Sequence, residues 1–339
     1  MKRSQAIAGA VLALIGSFLV LPAIAQGFPN RPVELVVAYP AGGTGDVLAR
    51  AIAGPMSTSL GQPVRIENRT GVSGAVGARH VARAAADGHT LLLGQTAEIV
   101  ADPILMKDAG YDALRDLRPV ALVAVVPVVL VAPANAPYSS LPQLLAAARS
   151  SKRGLTFSSG GPGTTGHLAG ELLRLRTQSR LIHVPVDGAG AALKELLDGR
   201  VDFYFAPYPL AIAAAREGKV KLLATASARR LAAAPTLPTV AEETGIRSFD
   251  IIAWAGVFAP GGTPREVVAR LNQVTNETLA NAQVRQQFAA DGIEMAPMSV
   301  AQMEEFVKAE GRRYADLLNE DFCSRVFYGG CEGFSAGVH

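Results

Sequence analysis

What most limits the fold of this chain is a repeated triplet: a short apolar run, a glycine-rich or polar turn, then an amphipathic helical pattern. It opens with "VELVVAYPAGGTGDVLARAIAGPMSTSLG" and continues through strand "PVRIENRTG", helix "GAVGARHVARAAADG" and strand "HTLLLGQT". After Pro127 it recurs as "GLTFSSG", "HLAGELLRLRT", "LIHVPVDG", "GAALKELLDGR", "VDFYFAPY", "PLAIAAAREGK" and "VKLLATAS". Apolar runs without polar alternation predict parallel strands covered by helices on both faces. At 339 residues and 49% hydrophobic, the chain has enough material for two such units. The expected class is α/β with two lobes, each a mainly parallel sheet flanked by helices, joined by two crossings. Domain 1 takes residues 28–127 and 250–320, and domain 2 takes 128–249. The first crossing falls in "PVALVAVVPVVLVAPANAP", read as two strands or one long broken strand because Pro127 interrupts it. The second is the returning strand "FDIIAWAGVFAP".

Two turns carry more glycine than a turn needs. "YPAGGTGD" places Ala41, Gly42, Gly43, Thr44 and Asp46 between the first strand and its helix. "SSGGPGTTGH" places Ser159, Gly161, Gly163, Thr164, Thr165 and His167 in the same position in the second unit. Both lie at carboxyl ends of parallel strands, where α/β sheets bind ligands, and both offer backbone N–H groups at a helix N-terminus. The plainer alternative is that Asp46 and Thr164 or Thr165 only cap their helices. Two matched loops facing one cleft favour an anion site, most simply for a carboxylate. Gly161 to Gly166 also satisfies G-x-G-x-x-G, and Asp187 ends the next strand, so a dinucleotide is a competing reading. Against it stand Pro162 inside the turn and placement in the second unit. A phosphate loop is excluded because His167-Leu168 occupies the Lys-Ser/Thr positions.

At these residues the sequence also resembles a family. "YPAGGTGDVLAR", "ENRTGVSGAVGARHVARAAADGHTLLLG", "FSSGGPGTTGHLAGELL", "HVPVDGAGAALKELLDGRVDF", "LATASARRLAAAPTLPTVAEETG" and "WAGVFAPGGTPREVVARLN" are similar, in order, to the signatures of the Bug family. These are the TctC-like periplasmic solute-binding receptors of tripartite tricarboxylate transporters. The resemblance spans about Pro29 to Glu320. It implies a type II periplasmic-binding-protein-like fold that closes on its ligand. It also implies a carboxylate held by backbone amides of Pro40–Asp46 and Ser158–His167, with Thr96 and Ala206 to Tyr208 shaping the rest of the pocket. The implied partners are a small carboxylate (dicarboxylate, tricarboxylate, acidic amino acid or aromatic acid) and membrane transporter subunits; a monomer is expected. Three departures stand out. Pro40-Ala41-Gly42-Gly43 replaces a "PPGG" turn; Val186-Asp187 replaces the aromatic and cation of "HVPYKG"; and residues 321–339 form a tail resembling nothing in the family.

An enzyme would need more than these loops. Ser159, His167 and Asp46 could serve an exported hydrolase, which is the alternative function, but G-x-S-x-G is absent. No H-x-x-x-H or H-E-x-x-H spacing exists, so neither a metal nor a cofactor is expected. His80 and His89 are assigned structural or surface roles, and Trp254, the only tryptophan, core or hinge packing. "MKR", an apolar run and Ala23-Ile24-Ala25 read as a signal peptide over 1–25, cleaved after Ala25, giving a periplasmic protein; a retained anchor is the alternative. An exported compartment would let Cys323 and Cys331 pair, although two unpaired thiols in the tail read equally well. Formal charge is +3, and losing Lys2 and Arg3 leaves +1. With no basic stripe, nucleic acid is not an expected partner.

Overall fold

The computed structural model describes residues 27–106 and 109–326. The expected signal peptide and cleavage site, Cys331 and the tail beyond 326 lie outside the described residues.

The strand–turn–helix triplets form as the apolar runs predict. In the first lobe β1 (Val33–Val37), α1 (Thr44–Leu60), β2 (Val64–Asn68), α2 (Ala75–Ala82) and β3 (Thr90–Gln95) build three parallel strands in the order β2-β1-β3. A π turn (Ala97–Ala101), α3 (Asp102–Leu105) and α4 (Ala113–Asp116) lead into β4 (Leu117–Pro133). The second lobe runs α5 (Leu141–Ser150), β5 (Leu155–Ser159), α6 (Thr165–Thr177), β6 (Leu181–Pro185), α7 (Ala189–Leu197), β7 (Phe203–Pro207), α8 (Tyr208–Arg216), β8 (Val220–Thr225) and α9 (Val240–Thr244). The chain returns along β9 (Ile252–Pro260) and finishes with α10 (Arg265–Ala280), α11 (Ala282–Ala290), α12 (Val300–Leu317) and α13 (Glu320–Val326).

The segment around Pro127 is one strand of 17 residues, not two. Up to Pro127, which faces Ile252, it pairs with β9; from Val128, which faces Pro207, it pairs with β7 and β8. The missing N–H therefore falls where one partner gives way to another, the position at which a strand tolerates proline. Both crossing strands are antiparallel to their neighbours. The reason is geometric. The home strands of each lobe run towards the cleft, so a strand leaving one lobe through the cleft enters the other running away from it.

Strands buried on both faces explain the unbroken apolar runs. In β1, Val33, Leu35 and Val37 pack with Leu48, Ile52 and Met56 of α1, while Val36 faces the opposite core with Ala78 and Val81 of α2. Each such side chain taken fully from water contributes about 1.5–3 kcal/mol. The start of the sequence tail is also built in: Phe322 and Cys323 of α13 are buried, and Arg174 of α6 donates to the Arg325 carbonyl at 3.0 Å. Cys323 does not stand as a free thiol.

Candidate functional site

The carboxyl ends of the strands from both lobes meet around a cavity of about 440 Å³. Four helices begin there: α1 after β1, α6 after β5, α7 after β6 and α8 after β7. None has a side-chain cap. Their N-cap residues are Gly43, Thr164, Gly188 and Pro207, and no side-chain hydrogen bond closes any of them. Away from the cavity α4, α5, α9, α11 and α12 are capped by Asp112, Ser140, Thr239, Asn281 and Ser299, while α2, α3 and α10 also lack a side-chain cap, so it is the convergence of four open ends that marks the site. First-turn N–H groups left without a partner at the positive end of a helix dipole are an anion site. Among the lining residues there is no Lys, Arg or His, and Asp187 is the one carboxylate side chain. The arrangement can hold a small anion by backbone donors alone, in a wall otherwise built from Tyr39, Val126, Tyr204, Phe205 and Trp254.

The sequence-derived residues fall into two groups. Ala41, Gly42, Gly43, Thr44, Thr96, Thr164 and Thr165 line this cavity. Asp46, Ser159, Gly161, Gly163, His167 and Ala206 are not among its lining residues. Asp46 is buried beneath the first loop, where its carboxylate accepts from the Gly42 amide at 2.9 Å, Asn68 at 3.1 Å and Arg50 at 2.8 and 3.0 Å. Thr96 accepts the Trp254 amide at 2.9 Å and thereby ties β3 to β9. Gly161 and Gly163 line a neighbouring cavity with Val72, Ser73 and Asp102, and Ala206 is buried behind the wall.

Asp46 links the loop's shape to pH. The Arg50 hydrogen bonds hold its carboxyl below the ordinary carboxylate range, against the opposing pull of burial. A depressed acid contributes its order above its unfolded value and loses it as pH falls through the lower folded one, so loop order is lost only in strong acid. Asp46→Ala is expected to weaken carboxylate binding about tenfold at neutral pH by freeing the loop, as loss of preorganisation does. Calorimetric titration of the variant checks this, and unchanged affinity would show that the carboxylate does not brace the site.

The second loop spends its polar groups internally. His167 accepts the Gly163 amide on Nδ1 at 3.1 Å, and its ring lies tilted by 34° against His183, with centroids 4.2 Å apart. His183 Nε2 lies 2.6 Å from the Ser159 hydroxyl, which also bonds Gly161. Burial pushes His167 down to about 3 and His183 to about 4, so both rings are neutral near pH 7. Ser159 thus meets His183 rather than His167, and Asp46 sits in the other lobe, so the hydrolase arrangement is not assembled. Trp254 is buried, donates Nε1 to Glu310 at 2.9 Å and still lines the cavity. The α7 entrance, Gly188 to Ala191, was missed by the sequence reading although "VDGAGAALKE" repeats the same strand–glycine–helix device. Tyr39, Tyr204 and Phe205 carried no signal beyond strand pattern.

Across the cleft the lobes touch. Ser73 Oγ donates to the Pro162 carbonyl at 2.5 Å, and a Cβ on Gly188 would sit 3.3 Å from Pro40. Among the described residues no cluster of His, Cys, Asp or Glu is placed to hold a metal, and no helix is long and apolar enough to cross a membrane.

Comparison with known proteins agrees with this geometry. Residues 48–321 match the model of the tripartite tricarboxylate transporter family receptor. The UPF0065 protein of the tcbD-tcbE intergenic region of a Pseudomonas species is 38% identical over 318 residues, covering 94% of each chain. BugT of Bordetella pertussis is 35% identical, covering 94% of this chain and 98% of its own. Among solved structures, MatC of Rhodopseudomonas palustris with bound malate superposes with a TM-score of 0.81 at 34% identity, covering 86% of this chain and all of its own. A second R. palustris protein, solved with adipate, gives 0.81 at 33% identity, covering 86% of this chain and 97% of its own. Neither the hydrolase nor the dinucleotide reading finds support among these relatives, and the chain belongs to the tripartite tricarboxylate transporter receptor family, whose members are periplasmic solute-binding receptors and not enzymes.

Proposed function

We propose that the lobes formed by residues 28–127 with 250–320 and by 128–249 close around a small carboxylate-bearing solute and present it to the membrane subunits of a tripartite tricarboxylate-type transporter. The solute is a dicarboxylate, tricarboxylate, acidic amino acid or aromatic acid. The observation that carries this reading is the convergence of four uncapped helix N-termini on a cavity lined by no cationic side chain. Donors fixed in backbone need no reorganisation, and they replace carboxylate hydration without burying a guanidinium. Ala41, Thr44 and Thr165 present the donors; Gly42, Gly43 and Thr164, whose amides are bonded to Asp46, Pro40 and Gly161, bring the two loops close to the solute, and Thr96 shapes the wall. Asp46, Ser159, Gly161, Gly163 and His167 set the loops, and Ala206 backs the β7 end. The malate and adipate found in the two R. palustris structures favour a dicarboxylate. The division between lobes at Pro127 and Val128 is supported by the change of partner strand there. The mature protein acts as a monomer after cleavage behind Ala25.

Binding that favours the closed arrangement shifts the lobes towards it, with no covalent step. A thermal-shift screen of di- and tricarboxylates, acidic amino acids and aromatic acids, with mass analysis of the recovered compound, tests the proposal. A ligand at about a hundred times its dissociation constant stabilises the fold by about 2.7 kcal/mol. Stabilisation with the compound recovered unchanged is the expected result. Chemical conversion, or no response to any carboxylate, would overturn it.

A further inference from the structure

We propose that Glu98, carried as a neutral acid, is a positioning residue for solute capture: through Tyr39 and Ser73 it holds the contact that latches the two lobes, so that capture is coupled to one proton. The binding arm of this inference rests on the carboxylate reading above; its proton arm does not.

Hydrogen counting carries the first step. Glu98 is fully buried on the π turn after β3, and its Oε1 accepts the Gln95 amide at 2.7 Å. Its Oε2 lies 2.8 Å from Tyr39 Oη, which lies 2.7 Å from the Ser73 carbonyl oxygen. A phenol has one hydrogen, and a carbonyl only accepts. With Glu98 ionised, that hydrogen has to serve two acceptors, leaving one close oxygen pair with nothing between. With Glu98 protonated, its hydroxyl donates to Tyr39, Tyr39 donates to Ser73, and every contact is a hydrogen bond. Buried polar groups adopt the satisfied arrangement.

The surroundings agree. Facing Glu98 are Tyr39 from the end of β1, Asp102 at the start of α3, and Tyr111, whose hydroxyl donates to the Glu98 carbonyl at 2.5 Å. Gly74 packs directly on the carboxyl, where an added Cβ would lie 2.8 Å from Oε2. From α2, Arg79 lies against Gly110 and acts on Tyr111; from α4, Arg115 pairs with Asp116; from α12, Glu310 and Arg313 turn to Trp254 and Asp250. Among the described residues no cation is bonded to the Glu98 carboxyl. Burial pushes its acid up to about 8.

The chain of contacts then reaches the other lobe. Ser73 Oγ donates to the Pro162 carbonyl at 2.5 Å, the cross-cleft bond. Val72 and Ser73 both sit at positive φ, 47° and 53°, in the left-handed region that a β-branched residue resists. Such a conformation persists only where neighbours over-determine it, and the Tyr39 bond to the Ser73 carbonyl is one such restraint. Tyr39 also lines the solute cavity. On ionisation Oε2 takes the Tyr39 hydrogen, the Ser73 carbonyl loses its donor, and the strained turn is free to relax away from Pro162. The closed arrangement loses its latch, and by linkage bound solute tightens the hold on the proton.

The sign follows from a raised acid: the contribution is full below the ordinary glutamate range and is lost as pH rises through the folded value. Affinity for malate and for adipate is measured by calorimetry from about pH 6 to about pH 9.5, bracketing that value. The wild-type chain is expected to weaken about tenfold across the range, equivalent to one pKa unit of coupling. In Glu98→Gln the amide nitrogen donates to Tyr39 and the amide oxygen accepts from Gln95, so wild-type affinity at low pH and a flat profile are expected. Tyr39→Phe and Ser73→Ala are expected to be weaker at low pH, and flat. A wild-type profile parallel to that of Glu98→Gln, or a Glu98→Gln protein weak at every pH, overturns the inference. If neither acid binds any variant, the carboxylate reading has failed by itself, and ligand-free unfolding decides the proton. There the wild-type midpoint is expected to fall relative to Glu98→Gln between about pH 5 and about pH 8. Parallel midpoints overturn it.

Discussion

Thr44→Asp and Thr165→Asp should each cost carboxylate affinity at least about a hundredfold while leaving the unfolding midpoint unchanged or slightly raised. Both threonines are the first residues of helices whose uncapped ends line the cavity, α1 and α6. A carboxylate there faces the bound anion. At about 4 Å and an effective dielectric near 20, two like charges repel by about 4 kcal/mol, and solvent relaxation leaves enough for two powers of ten. The same aspartate sits at the positive end of a helix dipole, which stabilises the empty protein by about 0.3–1 kcal/mol. Opposite signs for binding and stability distinguish a used anion site from a helix end that is merely exposed. Calorimetric titration beside thermal unfolding measures both, and full affinity in both variants would show that the helix ends hold no anion.

Glu310→Ala is expected to destabilise the protein by about 3 kcal/mol, the low end of the cost of leaving one member of a buried ion pair alone, because the Arg313 left behind is only partly buried. Glu310 is 7% exposed and accepts from Arg313 at 2.7 and 2.6 Å as well as from the Trp254 indole. Arg313 in turn donates to the Asp250 carbonyl at 2.6 Å, just before the return crossing. Without the carboxylate the buried indole N–H loses its acceptor, and the half-buried guanidinium keeps only the Asp250 carbonyl. Glu310→Gln keeps an acceptor for Trp254 and should lose less. Urea unfolding followed by Trp254 emission reads both, with the midpoint falling and the slope unchanged. A loss under about 1 kcal/mol for Glu310→Ala would mean that the network does not anchor the crossing.

Much of the site was legible because its device is local. Glycine between a parallel strand and a helix can be seen in "YPAGGTGD" and "SSGGPGTTGH", and the same rule applied to "VDGAGAALKE" would have added the α7 entrance. Division of labour within a loop was not legible. Asp46 and Thr44 are two residues apart, yet one braces the turn from beneath and the other faces the cavity, because side-chain direction depends on where the helix begins. Pro127 left two strands or one long broken strand open for a related reason: a rule about strand interiors does not choose between them when a strand changes partners midway.

The class of fold, the doubling of the α/β unit and the glycines at helix entrances can all be read along the chain, since each depends on periodicity and backbone freedom over a few residues. Three arrangements arise in the folded chain alone: Ser159 meets His183 and not His167, the crossings run antiparallel, and Glu98, Tyr39, Ser73 and Pro162 form one line across the cleft. Those contacts join residues far apart in the chain, and their partners are set by how two lobes close, which no local pattern records.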